Sequence, residues 1–448
     1  MTSRTARRLP AHRGPAAWSA ILPGQEAPDA LAGTKTADFA VIGAGFAGLS
    51  AARRLKQIHP AARIVVLEAG RLAEGASGRN SGFMIDLPHD LSSDDYAGQG
   101  VDSDRAMIAL NRAAIAFARQ AVEEYAIDPA FFDAIGKVNG AASEAADANN
   151  RSYAVHLAEI GEPSETIDAR AMRALTGSRH YVSGLYTPGT VLIQPAGYIR
   201  GVGAGLRRDG VALHENSPVG RIARAGSDWV LTTPGGSVTA GTAILANNGH
   251  LESFGFAKGR LMHIFLYASM TAELDAATLA KLGGRPRWGV TPSDPMGTTV
   301  RRIDAAQGGN RIITRSYASF LPGMEASAAS LAHAARVHRR KFDDRFPALK
   351  GVRMEYSWAG HLCLSRNGVS VVRELEPGLY AACVDNGLGT TRSTLAGIAA
   401  AELSSGKSST ITDHFRAEAE PSKLPPPPLA AIGANAYLRW REWRASRE

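Results

Sequence analysis

Three glycines, Gly43, Gly45 and Gly48, follow the apolar run Phe39–Ile42 and lead into Leu49-Ser-Ala-Ala-Arg-Arg-Leu55. The spacing predicts a strand, a tight turn holding Phe46 and Ala47, and a helix. Gly43 permits the turn, Gly45 offers bare backbone to a pyrophosphate, and Gly48 lets the helix pack closely. The helix start would aim unpaired N–H groups and a positive dipole end at the phosphates. A second apolar run, Ile64–Leu67, ends at Glu68. An acid about twenty residues past the glycines accepts hydrogen bonds from both ribose hydroxyls. Ala69, Gly70 and Arg71 continue that edge. Strand, turn, helix, strand and acid therefore predict a dinucleotide site.

Two further segments are rich in small residues. Glu74-Gly75-Ala76-Ser77-Gly78-Arg79-Asn80-Ser81-Gly82-Phe83 permits close approach of a flat ligand and supplies donors from Ser77, Arg79, Asn80 and Ser81. Asn386-Gly387-Leu388-Gly389-Thr390-Thr391 joins a strand to a helix whose N-terminus would favour negative charge.

These segments need a scaffold of alternating strands and helices. The pattern predicts helices over 103–125, 141–157, 328–346 and 393–403, and strands around 211–214, 243–246 and 379–384. Gln194-Pro195 should end a strand and start a helix, and residues 260–320 should supply most of a second sheet. The fold class is α/β: a Rossmann-like unit from 36–100, 190–255 and 355–420, and a mixed or antiparallel substrate-binding unit from 101–189 and 256–354. Residues 1–35 read as an arm, and 421–448 as a proline strap and helix.

Composition narrows the function. The 448 residues carry a formal charge of +8, of which the two arginine-rich ends hold +6. Those ends are expected to be solvated tails, and no nucleic-acid-binding motif accompanies them. Two cysteines, Cys363 and Cys383, exclude a disulfide framework and a four-cysteine zinc site, and no metal is expected. No apolar run reaches spanning length, and none follows the N-terminal arginines. A cytoplasmic protein is expected, without membrane association. Tyr437, Trp440 and Arg444 share one helical face and are expected to pack on the protein's own body.

Together the motifs resemble the FAD-dependent D-amino-acid oxidase superfamily, which includes glycine and sarcosine oxidases and γ-glutamylputrescine oxidase-type enzymes. The resemblance rests on the glycine turn with Glu68, the loop 74–83, Gln194-Pro195 followed by Val219 beside the adenine, and the turn 386–391. It implies FAD as cofactor, held also near Asn247, and oxidation of a C–N bond in an amine or amino acid. Hydride would pass to flavin N5, the imine would hydrolyse, and oxygen would reoxidise the flavin. A dehydrogenase feeding a quinone and a non-catalytic flavoprotein are the alternatives. Arg301, Arg302, Arg315 and Arg366 are candidate carboxylate clamps, since a guanidinium binds a carboxylate in bidentate fashion. Tyr267, Trp288, Tyr317 and Trp358 are candidate walls. His361, in a Trp-x-Gly segment, reads equally as a proton-handling group or a hydrogen-bonded core residue, whereas His263 reads as structural. Cys363 lies where monomeric sarcosine oxidases attach FAD covalently, but the residues after it depart from their motif.

Overall fold

The apolar runs that bracket the glycine turn become central strands of a nine-stranded sheet. A computed structural model describes residues 3–88, 100–445 and 447–448. Gly33–Ile42 pairs in parallel with Ile64–Leu67 on one side and Gly236–Leu245 on the other. Ala212–His214 and Leu379–Cys383 extend this parallel core. Helices Phe46–Ile58 and Thr391–Ser404 cover one face, against Ile64 and Val66, and Val65 and Leu67 on the other face pack in a second cluster with Val219 and Ile222, so Ile64–Leu67 is buried on both faces and reads as an unbroken apolar run.

An eight-stranded sheet stands beside it, running in the order Met354–Ser365, Leu261–Thr271, Arg311–Phe320, Thr299–Ile303, Trp288–Pro292, Lys137–Ala141, Ser183–Thr187 and Glu165–Asp168. Met354–Ser365, assigned by sequence to the first unit, is the edge strand of this second sheet. The helix expected over 141–157 runs from Glu144 to Ile160 instead. Lys137–Ala141 pairs with Ser183–Thr187 and Trp288–Pro292, a tertiary preference that composition alone does not carry.

Neither end is a solvated tail. Ser3–Thr5 pairs with Arg221–Ala225, and Arg4 binds Glu376 at 2.6 Å. Trp18 is fully buried, and Ala359 N donates to Arg13 O at 3.0 Å. At the other end, helix Pro427–Arg444 lies against Arg311–Phe320 through Asn435 and Glu442. Among the described residues, no helix is long and apolar enough to cross a membrane.

Candidate functional site

A single cleft runs between the two sheets, from the glycine turn to Gly387 and Gly389. Gly43 takes φ 103°, a conformation that favours glycine. A Cβ on Gly48 would sit 1.8 Å from Gly43 O, so only glycine lets the helix begin this close to the turn. The N–H groups of Phe46, Ala47 and Gly48 begin that helix and have no acceptor within it. Glu68 is held at the adjoining edge, accepting from Ala44 N at 2.7 Å and Gly70 N at 3.2 Å. Burial raises its pKa against the lowering by those N–H groups. Gly43, Gly45, Phe46, Ala47, Glu68, Ala69, Arg71, Val219 and Asn247 all line the cleft; Gly48 and Gly70 stand behind them.

The second glycine segment is built for rigidity. Trp358 Nε1 donates to Arg79 O at 2.9 Å, and Trp18 Nε1 to Asn80 O at 2.8 Å. Arg301 Nη1 donates to Gly82 O at 2.9 Å, and Thr390 Oγ1 to Phe83 O at 2.8 Å. Four carbonyls of one loop are thus fixed by four side chains from separate parts of the chain. Gly75, Ala76, Ser77, Arg79, Asn80 and Ser81 line the cleft. Gly78 and Gly82 do not: a Cβ would meet Ala73 O on Gly78, and Arg301 and Ile193 O on Gly82. Their small size serves packing inside the protein.

The third segment is strained. Val384, a β-branched residue, has φ 71°, and Asn386 has φ 48°. Asn248 Oδ1 accepts from Val384 N at 3.1 Å, and Ser370 Oγ donates to Val384 O at 2.8 Å, which holds this geometry. Asp385 faces the cleft with its pKa pushed up to about 6, mainly by burial. Phe83, Leu388 and Thr390 line a smaller cavity of about 90 Å³ that adjoins the cleft; Thr391 begins the following helix and lines neither.

The candidate catalytic residues separate. Arg315 lines both the cleft and the small cavity, and is the only charged residue lining the latter among the described residues. Arg301 lines neither. It is 1% exposed and its guanidinium is committed to Gly82 O and to Gln307 Oε1 at 3.1 Å, which corrects its assignment as a clamp. Arg302 donates to Gly283 O, and Arg366 is exposed outside the cleft. His361 lines the cleft, stacked on Phe265 at 4.9 Å. Its Nε2 lies 3.2 Å from His263 Nδ1, and His263 Nε2 lies 2.8 Å from Glu252 Oε2. His263 therefore joins a carboxylate to a cleft imidazole. Burial holds the pKa of His361 well below its ordinary value. Cys363 is fully buried away from the cleft, and burial pushes its thiol well up.

Sequence reasoning missed the arm. Arg8, Leu9, Pro10 and His12 line the cleft, as do His250 and Asp385. The arm carries no periodicity: apart from the edge strand Ser3–Thr5 it follows the cleft, and its readable anchors are the apolar residues Trp18, Ile21 and Leu22, which pack on the core.

The donor set fits a dinucleotide flavin. Helix N–H groups and a buried acid suited to a ribose stand at one end, with a pinned donor loop and a second helix N-terminus at the other. The profile of the DAO family, "FAD dependent oxidoreductase", matches residues 38–403. γ-Glutamylputrescine oxidoreductase of Escherichia coli is 26% identical over 91% of this chain and 94% of that protein. A probable oxidoreductase, OrdL, of Rhizobium meliloti is 25% identical over 88% of this chain and 89% of that protein. Among solved structures, glycine oxidase from Geobacillus kaustophilus superposes with a TM-score of 0.68 at 18% identity, covering 84% of this chain and 96% of its own. L-Amino acid deaminase from Proteus myxofaciens gives 0.68 at 16% identity, covering 91% and 98%. With a family match over most of its length and a cleft whose donors suit the cofactor, the chain belongs to the FAD-dependent oxidoreductase family.

Proposed function

We propose that the protein oxidises the C–N bond of a small amino acid, recognised by its carboxylate. Arg315 carries this reading, as the charged residue of a cavity bounded by the loop Asn80–Phe83 and the turn Gly387–Thr390. A guanidinium there pairs with a carboxylate in bidentate fashion. Ile85, Phe83 and Leu388 supply apolar wall, and Asn80, Ser81, Thr291 and Thr299 supply polar contacts. The cavity of about 90 Å³ suits a small substrate portion. The relatives named for γ-glutamylputrescine, glycine and L-amino acids agree with a C–N substrate.

When bound, FAD supplies the two-electron acceptor for hydride from the carbon beside nitrogen. The chain's own residues do the rest. Arg315 fixes one end of the substrate so that this carbon is presented in one orientation. The fixed carbonyls of Arg79–Phe83 keep the cavity wall from relaxing during the reaction. Neutral His361 can accept a proton at its cleft-facing ring, with His263 and Glu252 behind it to stabilise the cation. The N-terminus of helix Thr391–Ser404 favours negative charge at the Gly387–Thr390 turn.

A panel pairing each amino acid with its decarboxylated amine tests the reading. Arg315→Met should raise KM for the amino acid at least about ten-fold while leaving flavin content unchanged. An unchanged KM would remove Arg315 from substrate binding. Oxygen uptake compared with dye reduction then assigns the acceptor.

A further inference from the structure

Six tryptophans are divided sharply. Trp18, Trp229, Trp288 and Trp358 are fully buried, whereas Trp440 is 46% and Trp443 75% exposed on one helix, Pro427–Arg444. Leu429 at 66%, Ile432 at 71% and Tyr437 share that helix, so five of the nine large apolar side chains exposed among the described residues lie on it. Leu429, Ile432, Trp440 and Trp443 recur at helical spacing and form one stripe. The opposite face is anchored. Ala430, Ala431, Ala434 and Leu438 pack with Ile264 and Phe320, and Asn435 exchanges two 3.0 Å hydrogen bonds with the Phe320 backbone. Rotating the stripe inward would break these contacts.

The exposed charge of the helix segment itself has one sign. Of the two acids in residues 427–448, Glu442 turns inward to Ala318 N at 2.8 Å, and Glu448 is 5% exposed and accepts from Ala142 N at 2.8 Å. Arg444 and Arg447 are exposed. A rigid helix showing aromatic and aliphatic groups beside arginines, with no exposed carboxylate, matches a helix lying in the plane of a lipid interface. A second copy of the chain fits less well, because it would bring the same arginines together without an acid to receive them.

We propose that this stripe seats the protein on the surface of an anionic lipid bilayer, with Trp440 and Trp443 at headgroup level and the helix parallel to the plane. The inward face of the same helix packs on the cluster of Ile264, Ala318 and Phe320, against which Leu266 and Leu362 of the cleft lining also pack. Docking would therefore set the cleft wall one helix away from the lipid. The proposal is independent of the substrate reading.

Co-sedimentation of the full-length, FAD-loaded protein with vesicles tests it. With phosphatidylglycerol–phosphatidylcholine vesicles the protein should pellet, more weakly in high salt, and with pure phosphatidylcholine it should largely stay in solution. The double variant Trp440→Ser/Trp443→Ser should keep its colour and circular dichroism but lose about ten-fold or more in partitioning. Three results would overturn the proposal. These are a wild type left in the supernatant by anionic vesicles, a double variant that pellets equally, and a dimer in sedimentation velocity that the double variant dissolves.

Discussion

Trp358, Trp18, Arg301 and Thr390 each spend their donor on one carbonyl of the loop Arg79–Phe83, and this arrangement sets the expected behaviour of single substitutions. Arg301→Met would leave the buried carbonyls of Gly82 and Ile193 without that donor, at a cost of about 1–3 kcal/mol. Denaturant unfolding should show that loss, while KM moves less than in Arg315→Met. The reverse pattern would restore Arg301 as the clamp. At the other wall, Glu252→Gln removes the negative charge behind the His263–His361 pair. A protonated His361 would then be less favoured, so the acidic limb of the kcat/KM profile should move to lower pH at unchanged flavin content. An unmoved limb would make the pair structural. The cleft positions of Glu68 and Gly45 were readable in the sequence because the glycine turn and the acid ending the next strand are set by local spacing. The opposite fates of Arg301 and Arg315 were not, because each depends on which face of a strand meets the cleft.

At the scale of elements, the nucleotide-binding strands and helices follow from their apolar periodicity, and helix Val101–Glu124 falls close to the expected 103–125. The strand Lys137–Ala141 was hidden because its pairing partners lie far along the chain. The arm was hidden for a different reason: it makes contacts along the cleft without a repeating pattern. Its function can be tested through Trp18, which is fully buried and bonded to the loop Arg79–Phe83. Trp18→Ala should cost about 3–5 kcal/mol of local packing. The arm should then become sensitive to limited proteolysis, and FAD should dissociate faster than from the wild type. An arm that stays protected with an unchanged release rate would separate it from cofactor retention.

For the whole molecule, protonation is the broadest test of the packing. Burial lowers the pKa of His12, His180, His250 and His338 to about 4 each. Below the ordinary histidine value the unfolded chain takes up protons that the native chain refuses, so stability should fall as pH drops from about 6.5 to 4. Asp385 acts oppositely: its raised pKa of about 6 lets the native chain hold a proton that the unfolded chain has lost, which favours folding as pH falls from about 6 to 4. Glu68, Asp133, Glu442 and Glu448, also raised by burial, act with Asp385, and His361 and His414, also lowered by burial, act with the other histidines; the histidines titrate from the higher ordinary value of about 6.5, so thermal unfolding followed by circular dichroism should show a falling Tm once the pH drops below it. His338→Gln should reduce that slope, since His338 lies outside the cleft. At all three scales the proposal is a cleft that carries FAD beside a cavity that recognises a carboxylate. The most direct measurement is the absorbance of the purified yellow protein mixed anaerobically with matched amino acids and their decarboxylated amines. The account predicts that a carboxylate-bearing substrate bleaches the flavin, that its amine counterpart does so far more slowly, and that Arg315→Met erases the difference; bleaching by the amines alone, or a protein that takes up no flavin, would contradict it.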